Sequence, residues 1–97
     1  GQLGLDPDTG SLVEGGAAAE TTRAMANVAA ILHDAGAGVT DIAKTTIFVT
    51  DLAEFSAVND AYGAALGDHR PVRSTVQVAA LPAGASVEIE AWAHCPI

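Results

Sequence analysis

Apolar residues recur along this chain with two spacings, one near two residues and one of three to four, which separate strands from helices. Leu3–Leu5 and Ser11–Val13 are short strand-like pieces around Asp6-Pro7-Asp8-Thr9-Gly10, a run of turn chemistry. A hairpin or tight loop is expected there. From Ala17 to Ala35 the spacing becomes helical. Ala24, Met25, Val28, Ile31, Leu32 and Ala35 share one face, with Glu20, Arg23 and Asp34 off it. Gly36 and Gly38 are placed to end that helix.

Lys44–Thr50 is β-branched and aromatic and reads as a strand. Asp51 then caps a second helix, in which Phe55, Val58, Tyr62 and Leu66 recur every three or four residues until Gly67. Val72–Ala79 alternates, with Arg73, Thr75 and Gln77 opposite Val72, Ser74, Val76 and Val78. After a turn at Pro82 and Gly84, Ser86–His94 alternates again, with Val87, Ile89, Ala91 and Ala93 opposite Glu88, Glu90, Trp92 and His94. A hairpin around Leu81–Ala85 would set these last two strands side by side.

The order β–β–α–β–α–β–β predicts an α+β fold, a mixed β-sheet with two helices packed on one face. The uncovered face is expected to carry Phe48, Arg73, Glu88, Glu90 and Trp92, a mixture suited to packing on another subunit. At 97 residues the chain forms one domain, 1–97, whose core is small for its surface. Both features favour a closed homo-oligomer.

Charge narrows the function. Four Lys and Arg stand against twelve Asp and Glu, a net charge of −8. Such a field repels phosphate backbones and anionic lipid, so no nucleic acid and no membrane is expected as a partner. No apolar run reaches membrane-spanning length and no basic-then-apolar leader opens the chain, so a soluble, cytoplasmic protein is expected. The single cysteine, Cys95, leaves no internal disulfide and no cysteine-based zinc cage.

Arg23, Lys44, Arg70 and Arg73 are the only cations. Arg73 lies inside a strand of small and apolar residues, and its planar fork grips carboxylates bidentately. Glu88 lies on the next strand. One reading of the pair is a cross-strand ion pair. The other is an anion clamp beside a general base or water-positioning carboxylate.

The run Pro71-Val72-Arg73-Ser74-Thr75-Val76-Gln77-Val78-Ala79-Ala80-Leu81-Pro82, followed by Val87-Glu88-Ile89-Glu90-Ala91, resembles the signature of the RidA/YjgF/UK114 family of reactive-intermediate deaminases. Further similarities occur in order along the chain. They are Gly1-Gln2, Asp6–Gly10, Asn27-Val28, Lys44–Val49, Asp51-Leu52 and Phe55-x-x-Val58-Asn59-x-x-Tyr62. The resemblance covers essentially the whole chain.

It implies a homotrimer whose strands form a central barrel, with a small-molecule cleft at each subunit interface. It also implies hydrolysis of 2-aminoacrylate and its imine tautomers to 2-oxo acids and ammonia. Arg73 would hold the substrate carboxylate with the backbone N–H of Thr75, and Glu88 would orient or activate water. Asn59 and the backbone of Gly1 would line the same cleft. No metal and no cofactor is implied. Two departures stand out: Thr75 replaces a cysteine frequent in the family, and the family's N-terminal strand region is missing before Gly1.

Other readings stay open beside hydrolysis. One is a non-catalytic trimer that binds a small carboxylate in the same cleft. Another is a ribonuclease, which the acidic charge opposes. His33 reads as a solvated helix residue, and His69 as a loop residue without an evident partner. His94 and Cys95 lack metal-ligand spacing. Phe48 and Trp92 read as interface packing rather than a stacking platform.

Overall fold

The computed structural model describes residues 1–95. Strand β1 (Gln2–Leu3) leads through a tight loop to helix α1 (Gly16–Asp34), then to β2 (Ile42–Val49), α2 (Phe55–Leu66), β3 (Val72–Gln77) and β4 (Val87–Ala93). The expected turn is present. Asp6 N–H donates to Ser11 O at 2.8 Å, Gly10 N–H to Asp6 O at 2.8 Å, and Leu5 pairs with Leu12 across an isolated bridge. Ser11–Val13 contributes only that bridge, so one of the two N-terminal strands shrinks to a single pairing.

The sheet order is β1-β4-β2-β3, with β2 and β3 parallel and the other two pairs antiparallel. This corrects the expected hairpin between the last two strands. The 3₁₀ turn Pro82–Gly84 carries the chain past β2, and β4 pairs on its far side. Two parallel strands joined by a helix leave β2 with one free edge, and β4 takes it. The register sets Thr45 beside Arg73 on one side and beside Ala91 on the other.

Both helices lie on one face of this mixed sheet, the α+β arrangement expected. Ala24, Met25 and Val28 of α1 and Val58, Tyr62 and Leu66 of α2 meet Ile42, Ile47, Val49, Val87 and Ile89 of the sheet. Helix α1 ends in a Schellman motif at Gly36 (φ 82°): Ala37 N–H donates to Leu32 O and Gly36 N–H to His33 O. Asp51 caps the turn before α2 by accepting from Ala53 N–H at 2.9 Å. Among the described residues no helix is long and apolar enough to cross a membrane.

Two helix residues depart from the sequence reading. Glu20, placed off the apolar face of α1, is buried at 3% exposure, while Ile31, placed on it, is 52% exposed. The cause is polar pairing at depth: Glu20 Oε1 accepts from the backbone N–H of Ser86 at 2.7 Å. That bond ties α1 to the start of β4.

Candidate functional site

Alternation along β2 and β4 separates two groups of side chains. Ile47, Val49, Val87 and Ile89 are all 0–1% exposed and point to the helices. Phe48 and its register partner Glu88 therefore point the other way, onto the open face. Trp92 lies on that face at 62% exposure, its indole N–H donating to Glu90 at 3.3 Å. Phe48, Glu88, Glu90 and Trp92 thus stand where expected.

Arg73 does not. Its guanidinium hydrogen-bonds to the side-chain oxygen of Asn59 on α2, and lies 5.4 Å from the Phe55 ring centre and 5.5 Å from that of Tyr62. Those partners put Arg73 on the helix-covered side, at the edge strand of the sheet. The polarity of the residue suggested the open face, but the parallel β2–β3 register overrides it. Arg73 is paired with Thr45, whose hydroxyl is buried and bonded to the Tyr62 hydroxyl at 2.6 Å.

Arg73 and Glu88 are thus apart within one chain. They lie on different strands with β2 between them and on opposite faces of the sheet, so no ion pair joins them. Each has its own company. Arg73 and Asn59 line a concavity of about 770 Å³ with Gly63, Gly67, Arg70 and Pro71 among its walls. Glu88 instead meets the first residue: a Cβ built on Gly1 would lie 2.6 Å from Glu88 Oε2. Two of the five candidate site residues belong to the concavity and two to the open face.

Thr75, the fifth, follows Arg73 on the same side of β3, beside Ile47. Its hydroxyl oxygen is buried and has no hydrogen-bond partner. A buried hydroxyl without a partner is uncommon and costly, so it marks a position whose polarity the folded chain itself does not use.

The site also draws on residues the sequence reading passed over. Asn27, noted there only for its place in a motif, donates from its amide to Leu3 O at 3.2 Å and Leu5 O at 2.9 Å, while Arg23 Nε–H donates to its oxygen at 3.1 Å. Gly4 backs directly onto α1, where a Cβ would lie 2.6 Å from Glu20 Cα. These contacts anchor the segment that carries Gly1 against Glu88. His69, expected to lack a partner, bonds through Nε2 to Ile42 O at 2.7 Å and so fastens the loop that walls the concavity. An asparagine amide and a loop histidine carry no periodic signal, which is why only the tertiary contacts reveal them.

Comparisons with known proteins agree on one family. The model described as endoribonuclease L-PSP matches residues 1–95. The chain is 47% identical over 93 residues to a goat (Capra hircus) 2-iminobutanoate/2-iminopropanoate deaminase, covering 96% of this chain and 68% of that protein. It is 44% identical to the human protein of the same name, with the same coverage. Among solved structures, RidA from an Antarctic Psychrobacter superposes with a TM-score of 0.89 at 43% identity, covering 94% of this chain and 73% of that one. E. coli TdcF with bound serine gives a TM-score of 0.88 at 39% identity, with the same two coverages.

Proposed function

The chain belongs to the endoribonuclease L-PSP family, which includes RidA and the 2-imino acid deaminases, and on that premise we propose that it hydrolyses 2-imino acids to 2-oxo acids and ammonia. The observation that carries this reading is Arg73, a guanidinium held by Asn59 and two aromatic rings at the wall of an open concavity. A planar cation fixed in that way is preorganised for a carboxylate. A relative that holds serine in its crystal structure supports an amino-acid-sized ligand.

The chemistry asks little more. In the iminium form, C=NH₂⁺ is already electrophilic, and water adds to its carbon as Glu88 takes one of the water protons. The carbinolamine nitrogen takes that proton back from Glu88, and the C–N bond then breaks as the carbinol O–H proton passes to the departing ammonia, giving C=O and NH₄⁺. Arg73, Asn59 and the backbone N–H of Thr75 hold the carboxylate, and the Gly1 backbone borders the attacking water. Fixing substrate and water together supplies much of the rate.

Because Arg73 and Glu88 face opposite ways, one chain cannot close a site around one substrate. The reading therefore assembles each cleft from two copies, with Arg73 and Asn59 from one and Glu88 and Gly1 from the next. The open sheet face is fit for such assembly, with Trp92 at 62% exposure, Val72 at 69% and Val76 at 41%. A homotrimer with these strands around a central barrel meets that need.

The test is subunit complementation. Arg73→Ala and Glu88→Gln chains are each expected to lose turnover of freshly generated 2-iminopropanoate. Mixed after joint refolding, they regain part of it, because some clefts then receive both intact residues. No recovery from mixed trimers would refute the two-copy site, and wild-type turnover no faster than Arg73→Ala would refute the deaminase reading. Ribonuclease action is disfavoured by the charge of −8.

A further inference from the structure

We propose that Gly63 sets the substrate range of this site, by leaving open a groove along α2 that takes 2-imino acids with long side chains. The inference rests on the deaminase reading above and deepens it. Gly63 lies inside α2, where glycine costs helix stability relative to alanine. Nothing in the chain asks for that cost. Its φ is not positive, and a Cβ built on it meets no atom within 4 Å. The missing side chain therefore serves something outside this chain.

Position says what. Gly63 is one helical turn beyond Asn59, the residue that receives the Arg73 guanidinium, and Gly67 lies four residues further. Residues four apart share a helix face. Asn59 and Gly63 therefore share one face of α2, Gly67 ends the helix as its C-cap (φ 63°), and all three line the concavity that Arg73 enters. The opposite wall is the loop of Arg70 and Pro71. Arg70 itself lines this space, its guanidinium donating to the carbonyl oxygens of Gly67 and His69.

A substrate carboxylate on Arg73 starts beside Asn59. Gly63 is about 6 Å farther along the helix axis, beyond the reach of a methyl group and within that of an extended butyl chain. A floor of glycines lets such a chain lie flat against the helix backbone.

The experiment compares two imines made in place by an amino-acid oxidase, one from alanine and one from norleucine. The readout is the ratio of kcat/KM for the long substrate to that for the short one, in wild type, Gly63→Ala and Gly63→Leu. The ratio is expected to fall by about threefold in Gly63→Ala and by about tenfold or more in Gly63→Leu, since filling the groove acts on the long chain alone. Gly63→Ala favours the helix and keeps the test readable if the leucine variant fails to fold. A ratio within about twofold of wild type in both folded variants overturns the proposal. So does dissociation of the oligomer at unchanged ratio, which would assign the groove to a second copy. If wild type turns over neither imine, the deaminase reading fails by itself. Calorimetry with 2-oxohexanoate and pyruvate then decides on Gly63: a selective loss of 2-oxohexanoate binding in the variants supports the groove, and equal binding losses overturn it.

Discussion

Two polar clusters flank the core, and they spend their hydrogen bonds differently. Around α1, Glu20 bonds to Ser86 N–H, Asn27 to the carbonyls of Leu3 and Leu5, and Arg23 to Asn27. Each of these contacts ties one part of the chain to another. Around α2 and β3, Arg73 meets only a neutral amide and two ring faces, and the Thr75 hydroxyl meets nothing. The α1 cluster spends its polar groups on tying the chain together, whereas beside Arg73 the Thr75 hydroxyl is left without a partner.

That contrast can be broken by mutation. The largest effect is expected from Arg73→Ala. It removes the carboxylate partner at a cost of about 2–5 kcal/mol in substrate binding, read as a raised KM, while the urea midpoint hardly moves. A large fall in stability would instead place Arg73 with the structural cluster.

Asn27→Ala should behave in the opposite way. It strands two carbonyls and frees the Gly1 segment, costing about 1–3 kcal/mol of stability, measurable by urea unfolding. Glu20→Ala should cost a similar amount, whereas Glu20→Gln keeps the acceptor for Ser86 N–H and should recover most of it. Equal losses in the two Glu20 variants would mean that the bond to β4 is not what matters there.

Thr75→Val gives the smallest change and the sharpest sign. Because the hydroxyl is buried without a partner, the isosteric valine should raise stability by about 1 kcal/mol. Thermal unfolding of the free protein checks this. A loss of stability would show that the hydroxyl is already satisfied within the fold.

Much of the architecture was legible beforehand. The periodicities of residues 17–35 and 55–66 place both helices to within a residue or two, and Gly36 and Gly67 mark their C-terminal ends, whereas Asp51 caps the 3₁₀ turn Leu52–Glu54 ahead of α2 rather than α2 itself. The strands at Lys44, Val72 and Val87 were equally plain, because alternation is a local property. Pairing was not. Nothing in the alternation of β3 and β4 says whether they adjoin, and the expected hairpin gave way to a crossover that puts β2 between them.

The candidate residues divide along the same line. Arg73, Thr75, Asn59, Glu88 and Gly1 could all be named from motifs, since each motif keeps its residues close in sequence. Their grouping into Arg73 with Asn59, and Glu88 with Gly1, depended on strand order. Asn27, His69 and Glu20 took their roles from backbone atoms 22 to 66 residues away in sequence.

The sequence by itself determined the elements and most of their ends, because capping, propensity and periodicity act over a few residues. Only the tertiary structure decided the strand order and which face β3 presents. The parallel β2–β3 register turns Arg73 towards α2 while the antiparallel β2–β4 register turns Glu88 away from it, and no local interaction encodes that choice.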